Sequence, residues 1–271
     1  MYSKIHIMQV KPLREYKKVL SDICNIRAII PSNQPTHPHV MSPFDISFDG
    51  HSTYLHYHVT EDGMTLRDFI NFIYDPRKKM RATIFNTLHR IRPVDMMLQL
   101  IDAYEFMLAK NMMVGQSNVN PDCIWIDRNS SGEVKVCVLD TLETIIDDKY
   151  RIIDENKQYW SSEYIGEYNN VMFYNTENTR KPMLTRCDTK PTPISIVYSL
   201  GLILYFIVEH HDPYPDGRLH ADDRPFFRQH MIERYKKYVF SATEPDIRKR
   251  PTMKEWKEII KVSDDKTCFV M

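Results

Sequence analysis

The stretch ISIVYSLGLILYFIV, residues 194–208, is the most apolar run in the chain, and the rest of the chain is organised around it. It carries no charge and is apolar on every side of a helix, which predicts a helix that is buried all round. Its 15 residues fall short of the ~20 that a helix needs to cross a bilayer. Because charged or proline-rich sequence flanks it on both sides, we interpret it as the core helix of a globular domain.

Composition limits the classes of function. The 271 residues suit one large domain or two small ones, and 36 Lys and Arg balance 36 Asp and Glu. No overall field therefore favours nucleic acid or an acidic partner. Five cysteines without a C-x-x-C spacing predict neither a zinc site nor a disulfide framework. The first residues lack the apolar segment of a secretory signal, so a cytoplasmic protein is expected.

The first part of the chain reads as strand, helix, strand, strand, helix. The predicted elements are a strand at 5–10, a helix at 12–30, and strands near 39–48 and 53–59. Pro12 suits the first position of its helix because a missing N–H costs nothing there. Asp49-Gly50 is a typical turn between two strands, and Thr65 is a suitable N-cap for the helix that follows.

The rest of the chain alternates helices with one hairpin. The predicted elements are a variable insertion at 71–92, a helix at 93–110, a hairpin of 123–126 with 134–139, a flexible insert at 164–193, and helices at 228–240 and from Met253 to near Val262. The flexible insert is predicted from its many Asn, Thr and Pro residues.

Six short segments follow the order of the sequence motifs of protein kinases. They are His37-Pro38-His39-Val40, Gly63-Met64-Thr65-Leu66, Tyr159-Trp160-Ser161-Ser162-Glu163, Tyr198-Ser199-Leu200-Gly201, Asp212-Pro213-Tyr214-Pro215 and Arg250-Pro251-Thr252. The chain therefore resembles this family over nearly its whole length.

The resemblance implies an α+β, protein kinase-like fold. Its small lobe would be truncated to a short antiparallel sheet plus one helix, and its large lobe would be mainly helical. It also implies a single domain over 1–271, with the small lobe at 1–60, the large lobe at 61–262 and a C-terminal tail at 263–271.

Most positions that carry catalysis in this family hold unsuitable residues here. The resemblance places Met8 at the lysine, Asn118 at the catalytic aspartate, Asn120 at the assisting lysine and Cys123 at the metal-binding asparagine, and it retains the metal-binding aspartate as Asp140. Asn118 cannot usefully accept a proton, and one carboxylate is a poor magnesium site. No glycine-rich phosphate lid precedes the first strand.

Three points stay open. The glutamate that pairs with the family's lysine is either Asp22 or Glu15 here, and Lys4 or Lys11 could replace that lysine in a shifted alignment. Asp140 either caps the backbone at the end of a strand, which we favour, or serves an atypical, active phosphotransferase.

These losses together predict a pseudokinase: not an enzyme, and without a bound metal or cofactor. The expected function is that of a protein-binding scaffold or an allosteric regulator, with an active kinase or its substrate as partner and no nucleic acid. The alternatives are an active Ser/Thr/Tyr kinase that uses Asp140 and an adaptor tethered to a membrane by a lipid.

The resemblance also implies a structural ion pair between Glu163 and Arg250. A buried pair of this kind needs both partners, because a single buried charge is costly. Both residues are present.

The last four residues, Cys268-Phe269-Val270-Met271, match the C-a-a-X pattern of prenylation. The charges upstream are mixed, and a single lipid gives only weak, reversible membrane binding. Cys268 is therefore either a prenylation site, which would make the protein a peripheral membrane protein, or a chance cysteine.

Overall fold

The computed structural model of the protein describes residues 4–10, 37–48, 53–60, 63–74, 92–110, 119–128, 134–140, 157–165, 192–214, 224–225, 227 and 233–265. Its strands are β1 (Lys4–Val10), β2 (Val40–Met41), β3 (Asp45–Phe48), β4 (Thr53–Val59), β5 (Met64–Thr65), β6 (Ile124–Arg128) and β7 (Val134–Leu139). Its helices are α1 (Leu66–Tyr74), α2 (Pro93–Ala109), α3 (Pro193–Glu209), α4 (Glu233–Ala242) and α5 (Met253–Asp265), with single 3-10 turns at Pro121–Cys123 and Lys157–Tyr159. The protein is of the α+β class.

The strands form two small sheets. The first has the order β1-β4-β3 and is antiparallel throughout. The second has the order β2-β7-β6-β5, in which β2 runs parallel to β7 and the other pairs are antiparallel. The predicted strands at 5–10 and 53–59 and the hairpin are therefore confirmed.

The single strand predicted near 39–48 is wrong, because this segment contributes to both sheets. Val40 and Met41 pair with β7, whereas β3 begins at Asp45 and pairs with β4. Pro43 lies between them and has no N–H to offer to a strand ladder. The next residue, Phe44, donates its N–H to the His56 carbonyl at 2.8 Å and so enters the first sheet.

The core helix predicted from residues 194–208 is confirmed as α3. Thr192 caps it by accepting the Ser195 N–H at 3.1 Å, and the Ser195 hydroxyl returns a contact to the Thr192 N–H at 3.3 Å. Nearly every residue of the helix is buried. Gly201 allows α4 to approach closely, because an added Cβ would lie 2.6 Å from the Ala242 Cβ.

The other helices pack around α3 and the second sheet. The predicted helix at 93–110 is confirmed as α2, whose buried residues include Met97, Leu100 and Tyr104. Thr65 caps α1 as predicted, since its hydroxyl accepts the Asp68 N–H at 3.0 Å. Among the helices of the described ranges, none has the length and apolarity that a bilayer crossing requires.

Several predicted boundaries need correction. The variable insertion was expected from residue 71, but α1 continues to Tyr74. The flexible insert was expected from residue 164, but Tyr164 and Ile165 are buried against Trp160. The last helix was expected to end near Val262, where its apolar pattern ends, but α5 continues for three polar residues to Asp265.

Other predictions lie wholly or partly outside the described residues. These are the helix at 12–30, the turn at 49–50, most of the two insertions, the start of the helix predicted at 228–240, Asn118 and Cys268. Within the described residues, the helix predicted at 228–240 runs over Glu233–Ala242. Prenylation of Cys268 stays a prediction.

Candidate functional site

Tyr57 and Asp140 meet where the two sheets approach each other. Tyr57 lies on β4, is fully buried and donates its hydroxyl to the Asp140 carbonyl at 2.7 Å. Asp140 follows β7 directly, and its N–H is donated to the Met41 carbonyl at 2.9 Å. The backbone of Asp140 is therefore bonded on both sides, and the residue is only 7% exposed.

The Tyr57 phenol stays neutral. Burial raises its pKa well above the usual value, and the nearby Asp140 and Cys123 raise the pKa further. A neutral phenol keeps its proton and donates it to the Asp140 carbonyl.

Asn120 caps the 3-10 turn at Pro121–Cys123. Its Oδ1 accepts the N–H groups of Asp122 at 2.8 Å and Cys123 at 3.2 Å. Its Nδ2 donates to the Cys123 Sγ at 3.2 Å. Asn120 is 1% exposed, so these bonds replace the water that its amide would otherwise contact.

The fold brings together three of the five positions that the sequence analysis assigned to catalysis. Asn120 contacts Cys123, and both Cys123 and Asp140 influence the phenol of Tyr57. For Met8 the described geometry is that of the backbone, which pairs with Leu55 in the β1–β4 ladder. No group of three or more His, Cys, Asp or Glu side chains within the described ranges is arranged to hold a metal ion.

The ion pair expected between Glu163 and Arg250 is present. Arg250 Nη1 lies 3.0 Å from Glu163 Oε1, and Nη2 lies 3.0 Å from Oε2, so the contact is bidentate. The Arg250 side chain is 0% exposed and that of Glu163 is 24% exposed. The pair was expected to be buried. The arginine side chain is buried as expected, whereas the carboxylate is partly exposed.

Arg250 also ties distant segments together. Its Nε donates to the Glu244 carbonyl at 3.0 Å and its Nη1 to the Ile194 carbonyl at 3.2 Å. Its Nη2 reaches the Ser162 hydroxyl at 3.2 Å, and the guanidinium lies 4.7 Å from the centre of the Tyr198 ring. The guanidinium thus connects the segment around Glu163 to α3 and to the loop after α4.

Glu163 is a carboxylate at any ordinary pH. Burial by itself would raise its pKa, but the hydrogen bonds and charge of Arg250 outweigh it, and the Ser195 hydroxyl contributes a further bond at 2.7 Å. Together they lower the pKa of Glu163 to about 2.

Sequence reasoning missed a second arginine cluster, centred on Arg67 of α1. Arg67 Nε lies 2.8 Å and 2.9 Å from the two carboxylate oxygens of Asp122. Its Nη1 lies 2.9 Å and 3.1 Å from those of Asp212, which also accepts the Tyr159 hydroxyl at 2.7 Å. Burial lowers the pKa of Arg67, but Tyr159, Asp122 and Asp212 raise it by more, so the guanidinium stays charged. No local spacing signals this cluster, because its acidic partners lie 55 and 145 residues along the chain from Arg67.

Comparison with known proteins adds no family to this geometry. No protein-family model matches the chain, and no curated protein matches it.

Proposed function

We propose that the protein is a kinase-like domain without phosphotransferase activity, which acts as a scaffold or allosteric regulator of a protein partner. The observation that carries this proposal is the use of Asn120. Its side chain is consumed in capping the turn at Pro121–Cys123 and in contacting the Cys123 sulfur. A group spent on its own turn is not available to a phosphate.

The arrangement of elements supports the kinase-like part of the proposal. The β6–β7 hairpin leads directly to Asp140, in the order that the family resemblance implies. The segment containing Glu163 follows, and Glu163 pairs with Arg250 after α4. Glu163 and Arg250 belong to the third and the last of the six motif-like segments, so their ion pair joins two of these segments.

The chemistry of the site supports the absence of catalysis. Phosphoryl transfer needs a group that positions or deprotonates the nucleophile and cations that neutralise the developing charge. Asn120 and Cys123 supply neither a cation nor a carboxylate oxygen. Asp140 retains a carboxylate, but one carboxylate without further oxygen ligands binds Mg²⁺ weakly.

Nucleotide binding tests the proposal against its rival, an active phosphotransferase that uses Asp140. A ligand that binds the folded state raises the melting temperature with its concentration. We expect millimolar ATP with Mg²⁺ or Mn²⁺ to leave the melting temperature unchanged, both in the parent and in Asp140→Asn. A rise in the parent that Asp140→Asn abolishes, together with transfer of the γ-phosphate to a protein substrate, would favour the active enzyme.

The outer face of the first sheet supports the binding part of the proposal. Ile5 and Ile7 of β1 are 49% and 54% exposed, and Phe44 stacks on His58, the residue paired with Ile5, at 3.9 Å between ring centres. Cross-strand partners share a face, so these side chains lie together on the outside of the sheet. Clustered exposed apolar side chains are typical of protein contact sites.

The proposed partner is an active kinase or its substrate, and affinity capture followed by mass spectrometry tests this. We expect the parent chain to enrich such a protein and the double variant Ile5→Ser/Ile7→Ser to lose it. The matched control is Ile259→Ser/Val262→Ser, which removes two exposed side chains of α5 and should retain the partner. Equal recovery with the parent and with a bare matrix would contradict the scaffold role.

A further inference from the structure

His37 joins the segment before β2 to helix α2. Its ring stacks on that of Phe106, with centres 4.6 Å apart and planes at 22°. Its Nδ1 accepts the N–H of His39 at 3.2 Å. The imidazole of His37 therefore makes both a ring stack with α2 and a hydrogen bond within its own segment.

The segment 37–41 is also bonded to strand β7. The Val138 N–H is donated to the His39 carbonyl at 2.9 Å, and the His39 Nδ1 lies 3.0 Å from the Val136 carbonyl. The Asp140 N–H is donated to the Met41 carbonyl at 2.9 Å. The segment therefore holds the backbone of Asp140 from one side, while Tyr57 holds it from the other.

The two histidines respond differently to a proton. The bond at His37 requires a bare Nδ1, because that nitrogen accepts an N–H. The bond at His39 requires a protonated Nδ1, because its partner is a carbonyl. Protonation of the ring therefore preserves the His39 bond and removes the His37 bond, where two N–H donors would then face each other.

We propose that His37 is a pH-sensitive latch: its protonation breaks the bond to the His39 N–H and loosens segment 37–41 from strand β7. The stack on Phe106 survives, because a cationic ring still packs on an aromatic face. The change is thus local to the segment and to the Asp140 backbone that it supports. This inference goes beyond the proposed function and does not depend on it.

The charges around His37 support the direction of the switch. Among the described residues, the groups that influence His37 are His39 on its own segment, Asp102 on α2 and Lys135 on β7. Burial lowers the pKa of His37 first, His39 and Lys135 lower it further, and Asp102 opposes them. Since the closed segment has the lower pKa, it is favoured above the ordinary histidine pKa and weakens as the pH falls below it.

Amide hydrogen exchange of β2 tests the latch in the full chain. Exchange at Val40 and Met41 is measured at about pH 7.5 and about pH 5 and corrected for the intrinsic chemical rate. We expect protection of the parent to fall at the lower pH, by about tenfold for each pH unit between the closed and open pKa values of His37. Protection of the N-terminal half of α3 should not change, because the side chains of Thr192 and Ser195, which cap that end, do not titrate in this pH range.

Three variants separate the latch from other histidines. His37→Asn keeps an acceptor but cannot be protonated, so the protection of its β2 should not depend on pH. His37→Phe keeps the ring stack without the acceptor, and its β2 should exchange fast at both pH values. His210→Asn changes a histidine at the C-terminal end of α3, where asparagine tolerates the left-handed backbone, and its β2 should behave like that of the parent. The latch is disproved if the parent shows no loss of protection, or if His37→Asn retains the parent's pH dependence.

Discussion

The cluster around Arg250 and the turn around Asn120 are both built from buried polar groups, but they differ in reach. Arg250 bonds to residues on three segments that are far apart in the chain. The Asn120 side chain bonds to Asp122 and Cys123, within its own turn. A long-range cluster stabilises the tertiary fold, whereas a local one stabilises a single turn, so their removal should have different costs.

The largest effect is expected at Arg250. Arg250→Ala removes a buried guanidinium and leaves the Glu163 carboxylate without its cation, which should lower the free energy of unfolding by about 3–5 kcal/mol. Urea denaturation measures this. The matched control is Arg248→Ala, whose side chain is 86% exposed and pairs with Asp246 on the surface, and its midpoint should not move. Equal urea midpoints for Arg250→Ala and Arg248→Ala would contradict the role of the Arg250 cluster in stabilising the tertiary fold.

The Arg67 cluster should be the next most costly to break. Arg67→Ala deprives Asp122 and Asp212 of a shared, half-buried cation and should cost about 2–3 kcal/mol in a urea titration. Arg67→Lys should recover only part of the loss, because a single ammonium nitrogen replaces the two nitrogens, Nε and Nη1, that contact Asp122 and Asp212 separately. Arg92→Ala breaks an exposed pair with Asp95 and serves as the control, with a change below about 0.5 kcal/mol. Full recovery by lysine would show that charge alone matters at Arg67.

Substitution of Asn120 should lower the free energy of unfolding by less, because its side chain stabilises a single turn. Asn120→Ala removes a cap and should lower the free energy of unfolding by about 1 kcal/mol. Asn120→Lys restores the residue type that the family resemblance implies, but it should not confer transfer of the γ-phosphate from ATP, because Asn118 and Cys123 remain. Phosphate transfer by this variant would contradict the proposed loss of function. A cost as large as that of Arg250→Ala would remove the contrast between the two regions.

The smallest change in stability near neutral pH is expected from the titration of Glu163. Its pKa is lowered from the ordinary 4.5 to about 2, so the unfolded chain binds a proton more readily than the folded protein between these values. The stability that it contributes is complete above the unfolded pKa and is lost as the pH falls toward the folded one. Urea midpoints between about pH 5 and about pH 3 should fall more steeply for the parent than for Glu163→Gln. Parallel slopes would mean that the carboxylate is not coupled to folding.

Local patterns predicted the parts of the fold that depend on neighbouring residues. The uncharged run around Leu200 predicted α3, and the spacing of residues such as Met97 and Leu100 predicted α2. Two strand-like runs on either side of residues 127–133 predicted the β6–β7 hairpin. The segment near 39–48 was predicted as one strand because only three residues, 42–44, separate β2 from β3. The second half pairs with β4, which follows it closely in sequence, whereas the first half pairs with β7, far along the chain, and no local pattern encodes that pairing.

Some residues of the candidate site were also predicted from the sequence, and others were not. The family resemblance brought Asn120, Cys123 and Asp140 to attention, and it paired Glu163 with Arg250 across 87 residues. The partner of Asp140 was not predicted, because Tyr57 lies 83 residues away and reaches its carbonyl only once β4 and β7 are placed together. The capping role of Asn120 was also missed, although an asparagine before a proline is a common helix-start signal that could have indicated it.

The sequence by itself determined the buried central helix, the strands at 5–10 and 53–59 and the hairpin, because periodicity, capping and residue chemistry act over a few neighbouring residues. The α+β class was implied by the family resemblance, which also drew attention to the residue types at Asn120, Cys123 and Asp140. Only the tertiary structure decided that Arg67 is shared by Asp122 and Asp212, that Tyr57 supports Asp140, and that His37 bridges α2 and the segment before β2. The physical reason is distance along the chain. A hydrogen bond or ion pair forms when two groups come within about 3 Å, and for residues far apart in sequence only the packing of whole elements determines which groups meet.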